Sequence, residues 1–248
     1  MFKVKATVID FLGNKEKYPC HHGYKLNDEF IFDGESFNGG ICPSLAMSVV
    51  PRMMEIHSAG PRYKDYVHYF PFLYAPVSIE DPGLKKYDGL GYRNVFTNYE
   101  EPKYSVANLA SSGAFKWPPP EKRIESRAVR MICPDYRTSV AVKLEAFDLS
   151  DKGRNIPYFR REMAILDKVL QKPGIAATDI LGEFTREQIE GIYPALSPVM
   201  IESLLEEMEL MGYLGIRDGK VTAGPRARAK LKDFKASLSP VERKALDI

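Results

Sequence analysis

Ser197-Pro198-Val199-Met200-Ile201-Glu202-Ser203-Leu204-Leu205-Glu206-Glu207-Met208-Glu209-Leu210-Met211-Gly212-Tyr213-Leu214-Gly215-Ile216-Arg217-Asp218-Gly219-Lys220-Val221-Thr222 is the run that decides how the second half of the chain folds. Ser197-Pro198 caps a long helix that continues through Met211, and Gly212 stops it. Tyr213 to Ile216 and Val221-Thr222 then flank Asp218-Gly219, a dipeptide suited to a tight hairpin turn because both central positions need positive φ. Pro225 opens a last helix, Arg226 to Leu238. Upstream, Thr185 with Gln188 three residues on forms a capping-box pattern for another helix. Thr178-Asp179-Ile180-Leu181 starts a short helix with Thr178 as its cap. Tyr158 to Gln171 carries Phe159, Met163, Leu166, Val169 and Leu170 at helical spacing. Asp148 to Asn155 reads as the linker that precedes all of this.

The resulting order is helix, helix, helix, hairpin, helix. Met208 to Leu214 and Thr222 to Arg228 resemble the third helix, wing and following helix of the winged-helix superfamily, over roughly the last third of the chain. The resemblance implies a winged-helix domain over residues 156–248 and says little about function. Winged helices often place their third helix in the DNA major groove. Here Val199 to Met211 carries Glu202, Glu206, Glu207 and Glu209 and no Lys or Arg. Carboxylates facing phosphates repel, so DNA is disfavoured. The basic residues come later, at Arg217 and Lys220 in the wing and then Arg226, Arg228, Lys230, Lys232 and Lys235. The expected role is self-association or docking on a protein partner, with wing-led DNA binding as the weaker expectation.

The first part of the chain reads as α+β. Met1 to Asp10 alternates apolar and polar residues, as a half-buried strand does, and has no apolar core of a signal peptide. A second strand is expected over Lys25 to Phe32, ending in the turn Asp33-Gly34-Glu35-Ser36. Gly39 to Ser44 opens a helix, Leu45 to His57, in which Leu45, Val49, Met53 and Ile56 share a face and Gly60-Pro61 ends the run. Arg127 to Ile132 and Ser139 to Phe147 read as strands joined through Cys133 to Arg137. Between the helix and these strands, from Tyr63 to Trp117, tyrosines and phenylalanines crowd a stretch broken by prolines. That aromatic load argues for order. The expected domain is 1–149, a small mixed or antiparallel sheet with one main helix and an aromatic-rich insertion at about 62–124.

Cys20, Cys42 and Cys133 are the only cysteines, an odd number that argues against a disulfide framework and for reduced thiols in the cytoplasm. Each falls in a loop or turn rather than inside an element, where core cysteines usually lie. Ile41-Cys42-Pro43 and Ile132-Cys133-Pro134 share a Cys-Pro pair, as bacterial ferredoxin runs do. Cys42, before a helix, has its thiolate favoured by the helix dipole. A shared metal or iron–sulfur site is therefore expected at the three cysteines. His21 or His22, beside Cys20, completes a Cys3His zinc site; a [4Fe–4S] cluster with three cysteines needs a histidine, an outside ligand or an open iron. His57 reads as structural. His68, in the aromatic stretch, is a candidate pocket acid or base.

Cys20 with Asn27-Asp28-Glu29-Phe30, then Gly40-Ile41-Cys42-Pro43, then Cys133-Pro134-Asp135 resemble the segments of a little-characterised family of small three-cysteine proteins. That family occurs mainly in anaerobic bacteria and archaea. The likeness covers about residues 1–60 and 125–148 and implies no established reaction. The insertion and the C-terminal helices depart from the family's short pattern.

A chain of 248 residues suits two domains, and 44% hydrophobic with 27% charged residues allows an ordinary core. A net charge of +2 excludes a surface that is basic throughout. No stretch approaches the roughly 18 apolar residues of a membrane helix. There is no triad, P-loop or dinucleotide fingerprint. The expected function is metal or iron–sulfur binding in anaerobic metabolism, in or beside an oxidoreductase or lyase reaction, with oligomer or partner contacts through the winged helix or the aromatic insertion. The alternative is a winged-helix transcriptional regulator responsive to metal, redox state or a ligand.

Overall fold

The computed structural model describes residues 1–11, 15–63, 65–67, 74–76, 92–94, 124–126, 129–135 and 138–248. The chain is an α+β protein that divides into two compact units, Phe2–Phe147 and Asp148–Ile248, the latter together with Met1.

In the first unit, strand β1 (Phe2–Phe11) points Phe2, Val4, Ala6 and Val8 inward, each at 0% exposure, as its period of two requires. It pairs antiparallel with β2 (Glu29–Phe32), which pairs with β3 (Phe37–Asn38). Helix α1 (Pro43–Ala59) buries Leu45, Val49, Met53 and Ile56, with Pro43 in the first turn where a missing N–H costs nothing. Gly60 must remain glycine: its φ is +60°, and a Cβ there would lie 2.4 Å from the Phe2 ring. Two short ladders, β4 (Asp65–Val67) with β7 (Ile124–Ser126) and β5 (Tyr74–Pro76) with β6 (Tyr92–Asn94), fall in the stretch expected as an insertion. Most of the aromatic residues of that stretch, and His68, lie outside the described residues. Strand β8 (Val129–Ile132) pairs antiparallel with β9 (Val140–Leu149), completing a five-stranded sheet in the order β3-β2-β1-β9-β8.

The strand expected from Lys25 begins only at Glu29. Asn27 takes a left-handed φ of 69°, which asparagine tolerates, and Lys25 N–H donates to Asp28 Oδ2 at 2.7 Å, so Lys25 to Asp28 is a turn. His57 is buried and structural: its Nδ1 lies 2.6 Å from Phe2 O, and a carbonyl acceptor requires that nitrogen to carry the proton.

The second unit runs through α2 (Ile156–Gln171), β10 (Ile175–Ala176), a 3-10 segment (Ala177–Glu183), α3 (Arg186–Glu190) and α4 (Pro198–Leu210). Then come β11 (Leu214–Arg217), β12 (Lys220–Ala223), α5 (Ala227–Ser237) and α6 (Pro240–Leu246). The strands form an antiparallel sheet in the order β10-β12-β11. Both halves of the Thr185–Gln188 capping box form, and Ser197 Oγ accepts from Met200 N–H at 3.2 Å. Thr178 caps nothing; it donates to Asp179 Oδ1 at 3.2 Å, and the 3-10 segment starts a residue before it.

Asp148 to Asn155, expected as a linker, packs into the second unit instead. Asp148 accepts from Tyr213 Oη and from Lys230 Nζ at 2.6 Å, and Leu149, Ser150 and Asn155 are buried. Burial alone would raise the Asp148 carboxyl, but the Lys230 and Tyr213 hydrogen bonds outweigh it and hold its pKa below the usual value.

Helix α2 also buries three charged residues, Arg161, Glu162 and Asp167, the last paired with Lys235 at 2.8 Å. Arg161 is 1% exposed and donates only to main-chain carbonyls: Pro194 O at 2.8 Å, Gln188 O at 2.6 Å, Ile189 O at 3.2 Å and Ile192 O. These close the C-terminal end of α3, where helix carbonyls lack partners and the dipole favours a cation. Glu162, 2% exposed, has an Oε1 with no hydrogen-bond partner among the described residues. Burial holds its carboxyl well above the ordinary 4.5, and Glu207 and Asp148 push the same way against the amino terminus and Lys230.

The folded state thus keeps a proton that the unfolded chain releases above its ordinary pKa, so the unit loses stability as pH rises from there towards the folded value. Glu162→Gln is expected to flatten that slope. At pH ~8 it raises the melting temperature of this unit by about 4–8 °C, equivalent to about 1 kcal/mol, and near pH ~4 it changes little. Thermal melts of the full chain across pH check it; an unaltered slope contradicts it.

Candidate metal centre

Three loops of the first unit carry the cysteines. In the first, Gly23 N–H donates to Cys20 O at 2.8 Å, closing a turn with His21 and His22 at its centre. Gly23 sits at φ 74°, which only glycine adopts freely. In the second, Cys42 is the N-cap residue of α1, a helix of 17 residues. In the third, Cys133 follows β8, and its N–H bonds to Val140 O at 2.8 Å across the hairpin.

Side chains tie these loops together. Tyr24 Oη accepts from Cys42 N–H and donates to Gly40 O at 3.5 Å, and His22 Nε2 lies 3.2 Å from the same carbonyl. Thr138 Oγ1 donates to Tyr18 O at 2.8 Å, fastening the Cys20 loop to the hairpin that holds Cys133. Tyr24 packs at a tilt against Phe30, 4.9 Å between ring centres, and His22 meets Tyr24 edge to face at 4.8 Å.

The three cysteines belong to one core cluster. Cys42 and Cys133 are buried in the sheet–helix core, and Cys20, half-buried, packs against its edge. Burial pushes the Cys133 thiol up to about 11, opposed by a hydrogen bond from the Asp135 amide and reinforced by Cys42, Asp135 and Cys20. Tyr24 is raised first by burial; the Cys42 amide opposes this, and all three cysteines add to it. Cys42 Sγ is 3.7 Å from His21 Nε2. Cys42 is 3% exposed while His21 lies at the surface, so the contact closes over a buried sulfur from the solvent side.

As they stand, no three His, Cys, Asp or Glu side chains among the described residues are grouped closely enough to hold a metal ion. The residues nevertheless fit one in kind: soft thiolates with an imidazole are the donors zinc and iron–sulfur centres use. Tyr24 and Thr138, which join the loops, are absent from the set the cysteine pattern marks out. A tyrosine four residues after Cys20 was the only signal for the first.

No family model matches the chain, and neither curated proteins nor solved structures show a significant match. Among the described residues, no helix is long and apolar enough to cross a membrane.

Proposed function

We propose that this chain is a cytoplasmic protein that binds a metal ion or iron–sulfur centre through Cys20, Cys42 and Cys133, and that it works in or beside an oxidoreductase or lyase reaction of anaerobic metabolism. The observation that carries the reading is the joining of three separate cysteine loops, by Tyr24 to the Cys42 segment and by Thr138 to the Cys20 loop, with an imidazole nitrogen 3.7 Å from one sulfur. A hydrophobic core needs no such convergence of loop thiols. Binding requires the half-buried Cys20 and the exposed His21 to swing onto the ion and Cys133 to lose its proton, so metal uptake and local ordering are coupled. The resemblance of the three cysteine segments to a family of anaerobes supports the metabolic setting.

The second unit is a winged helix in this reading, with β11 and β12 as the wing. Its α4 exposes Glu202, Glu206 and Glu209, which favours association with protein over a duplex backbone. Anaerobic purification followed by elemental analysis and a visible spectrum tests the proposal. Wild type is expected to carry near-stoichiometric zinc, or iron with sulfide, and a variant with all three cysteines changed to serine to carry none. Equal metal content in both overturns it.

A further inference from the structure

We infer that the second unit pairs with a second copy of itself about a two-fold axis, the acidic face of α4 in one copy docking on a cationic groove at the β11–β12 hairpin of the other. This rests on the association role proposed above for that unit and deepens it, naming the surface and its occupant. It is independent of the metal centre.

Charge in this part of the chain is sorted rather than mixed. The solvent face of α4 presents Glu202, Glu206 and Glu209, all exposed and spaced by four and three residues, and the helix holds no Lys or Arg. Like charges at such spacings repel along a helix. Val199, at the head of the same face, is a valine left 72% exposed. The hairpin has the opposite bias. Arg217 and Lys220 stand directly opposite each other in the β11–β12 register, both exposed, and neither is paired with an acid among the described residues. Like charges directly opposite on a sheet are also destabilising. Asp218, in the turn between them, leaves the tip net positive.

The two cations wall a groove of 570 Å³ whose other lining residues include Gly174, Gly212, Gly215 and Gly224. Gly215 is the informative one. It lies inside a strand, where glycine weakens the sheet, and its φ is not positive. A Cβ there would have Thr222 Oγ1 at 3.9 Å as its nearest neighbour, so nothing within the chain requires glycine. A bare strand position of this kind suits the close approach of another chain.

The acidic and basic halves adjoin. Glu209 Oε1 accepts from Ile216 N–H at 2.7 Å, fastening the acidic face of α4 to β11, an edge strand of its sheet. A surface divided in this way is self-complementary on rotation by 180°: the acids of each copy meet the cations of the other, and the contact is made twice. A duplex backbone would meet the glutamates as well as the cations, so it is favoured by one half of the surface and repelled by the other. A second copy satisfies both.

Sedimentation equilibrium of the full chain tests the pairing. Wild type is expected to dimerise at low salt and to dissociate as salt rises to about 1 M, where the screening length falls to about 3 Å. Glu202→Lys with Glu206→Lys, and separately Arg217→Glu with Lys220→Glu, are each expected to weaken the dimer by more than about 100-fold. An equimolar mixture of the two double variants is expected to dimerise again, because both contacts are then matched. Gly215→Val, which fills the groove without touching a charge, is expected to weaken the dimer by about 10–100-fold while the monomer stays as stable as wild type. Circular dichroism of each variant monitors folding. Folded charge variants that fail to recover on mixing overturn the proposal, as does a dimer that neither reversal disturbs. A wild type that is monomeric at millimolar concentration and low salt overturns it too, while leaving docking on a different protein open. Duplex DNA bound by a monomeric wild type and released by the Arg217 and Lys220 reversals gives the groove to nucleic acid and overturns both readings of this unit.

Discussion

Arg161→Met is expected to destabilise the Asp148–Ile248 unit by about 3–5 kcal/mol, enough to unfold it first in a denaturant titration. The arginine is 1% exposed, and its acceptors are main-chain carbonyls of Gln188, Ile189, Ile192 and Pro194. Methionine fills much the same volume, so the loss isolates the hydrogen bonds. Buried carbonyls left without donors each cost about 1–3 kcal/mol, tempered by whatever water reaches them. Arg161→Lys supplies the charge without the planar fork and is expected to recover only part of the loss. Urea unfolding followed by far-UV circular dichroism checks it. A midpoint that moves no more than for a surface substitution contradicts the role given to this side chain.

Cys133→Ala is expected to separate a ligand from a core residue. Without metal, a buried cysteine behaves as a small hydrophobe, and its truncation costs about 1 kcal/mol. With zinc in large excess over its dissociation constant, wild type gains about 4 kcal/mol by mass action, and a variant that no longer binds gains nothing. The expected result is therefore a large zinc-dependent rise in the melting temperature of wild type and none in Cys133→Ala. Equal rises make Cys133 a packing residue and remove it from the centre.

Much of this architecture is visible in local sequence chemistry. Asp218 and Gly219 both take positive φ, 52° and 73°, as the hairpin turn demands, and the Thr185–Gln188 box caps α3 through reciprocal bonds. The alternation of β1 and the 45, 49, 53, 56 spacing of α1 both follow the buried face. Features set by distant contacts are not legible in the same way. Arg161 looks like any polar residue on an amphipathic helix, because its partners lie 27 to 33 residues away. Asp148 to Asn155 has the composition of a linker, yet Tyr213 and Lys230 tie Asp148 to the second unit. Helix α6 is absent from the expectation, whose last helix ends at Leu238, although the Ser239–Glu242 capping box that starts it is a local signal.

The candidate centre divides along the same line. Cysteines in turns, two of them before proline, mark the thiols, and adjacent histidines mark the imidazoles. Which imidazole meets which sulfur depends on a turn with Gly23 at φ 74° and on Tyr24 reaching Cys42. Neither has a signature in one dimension. His68, a candidate acid or base, lies outside the described residues.

X-ray absorption at the metal edge of anaerobically purified protein tests most directly whether three thiols from separate loops share one ion. A sulfur-dominated first shell, with zinc–sulfur distances of about 2.3 Å where the metal is zinc, is the predicted result. A shell of light atoms alone, on whatever metal the protein carries, contradicts it.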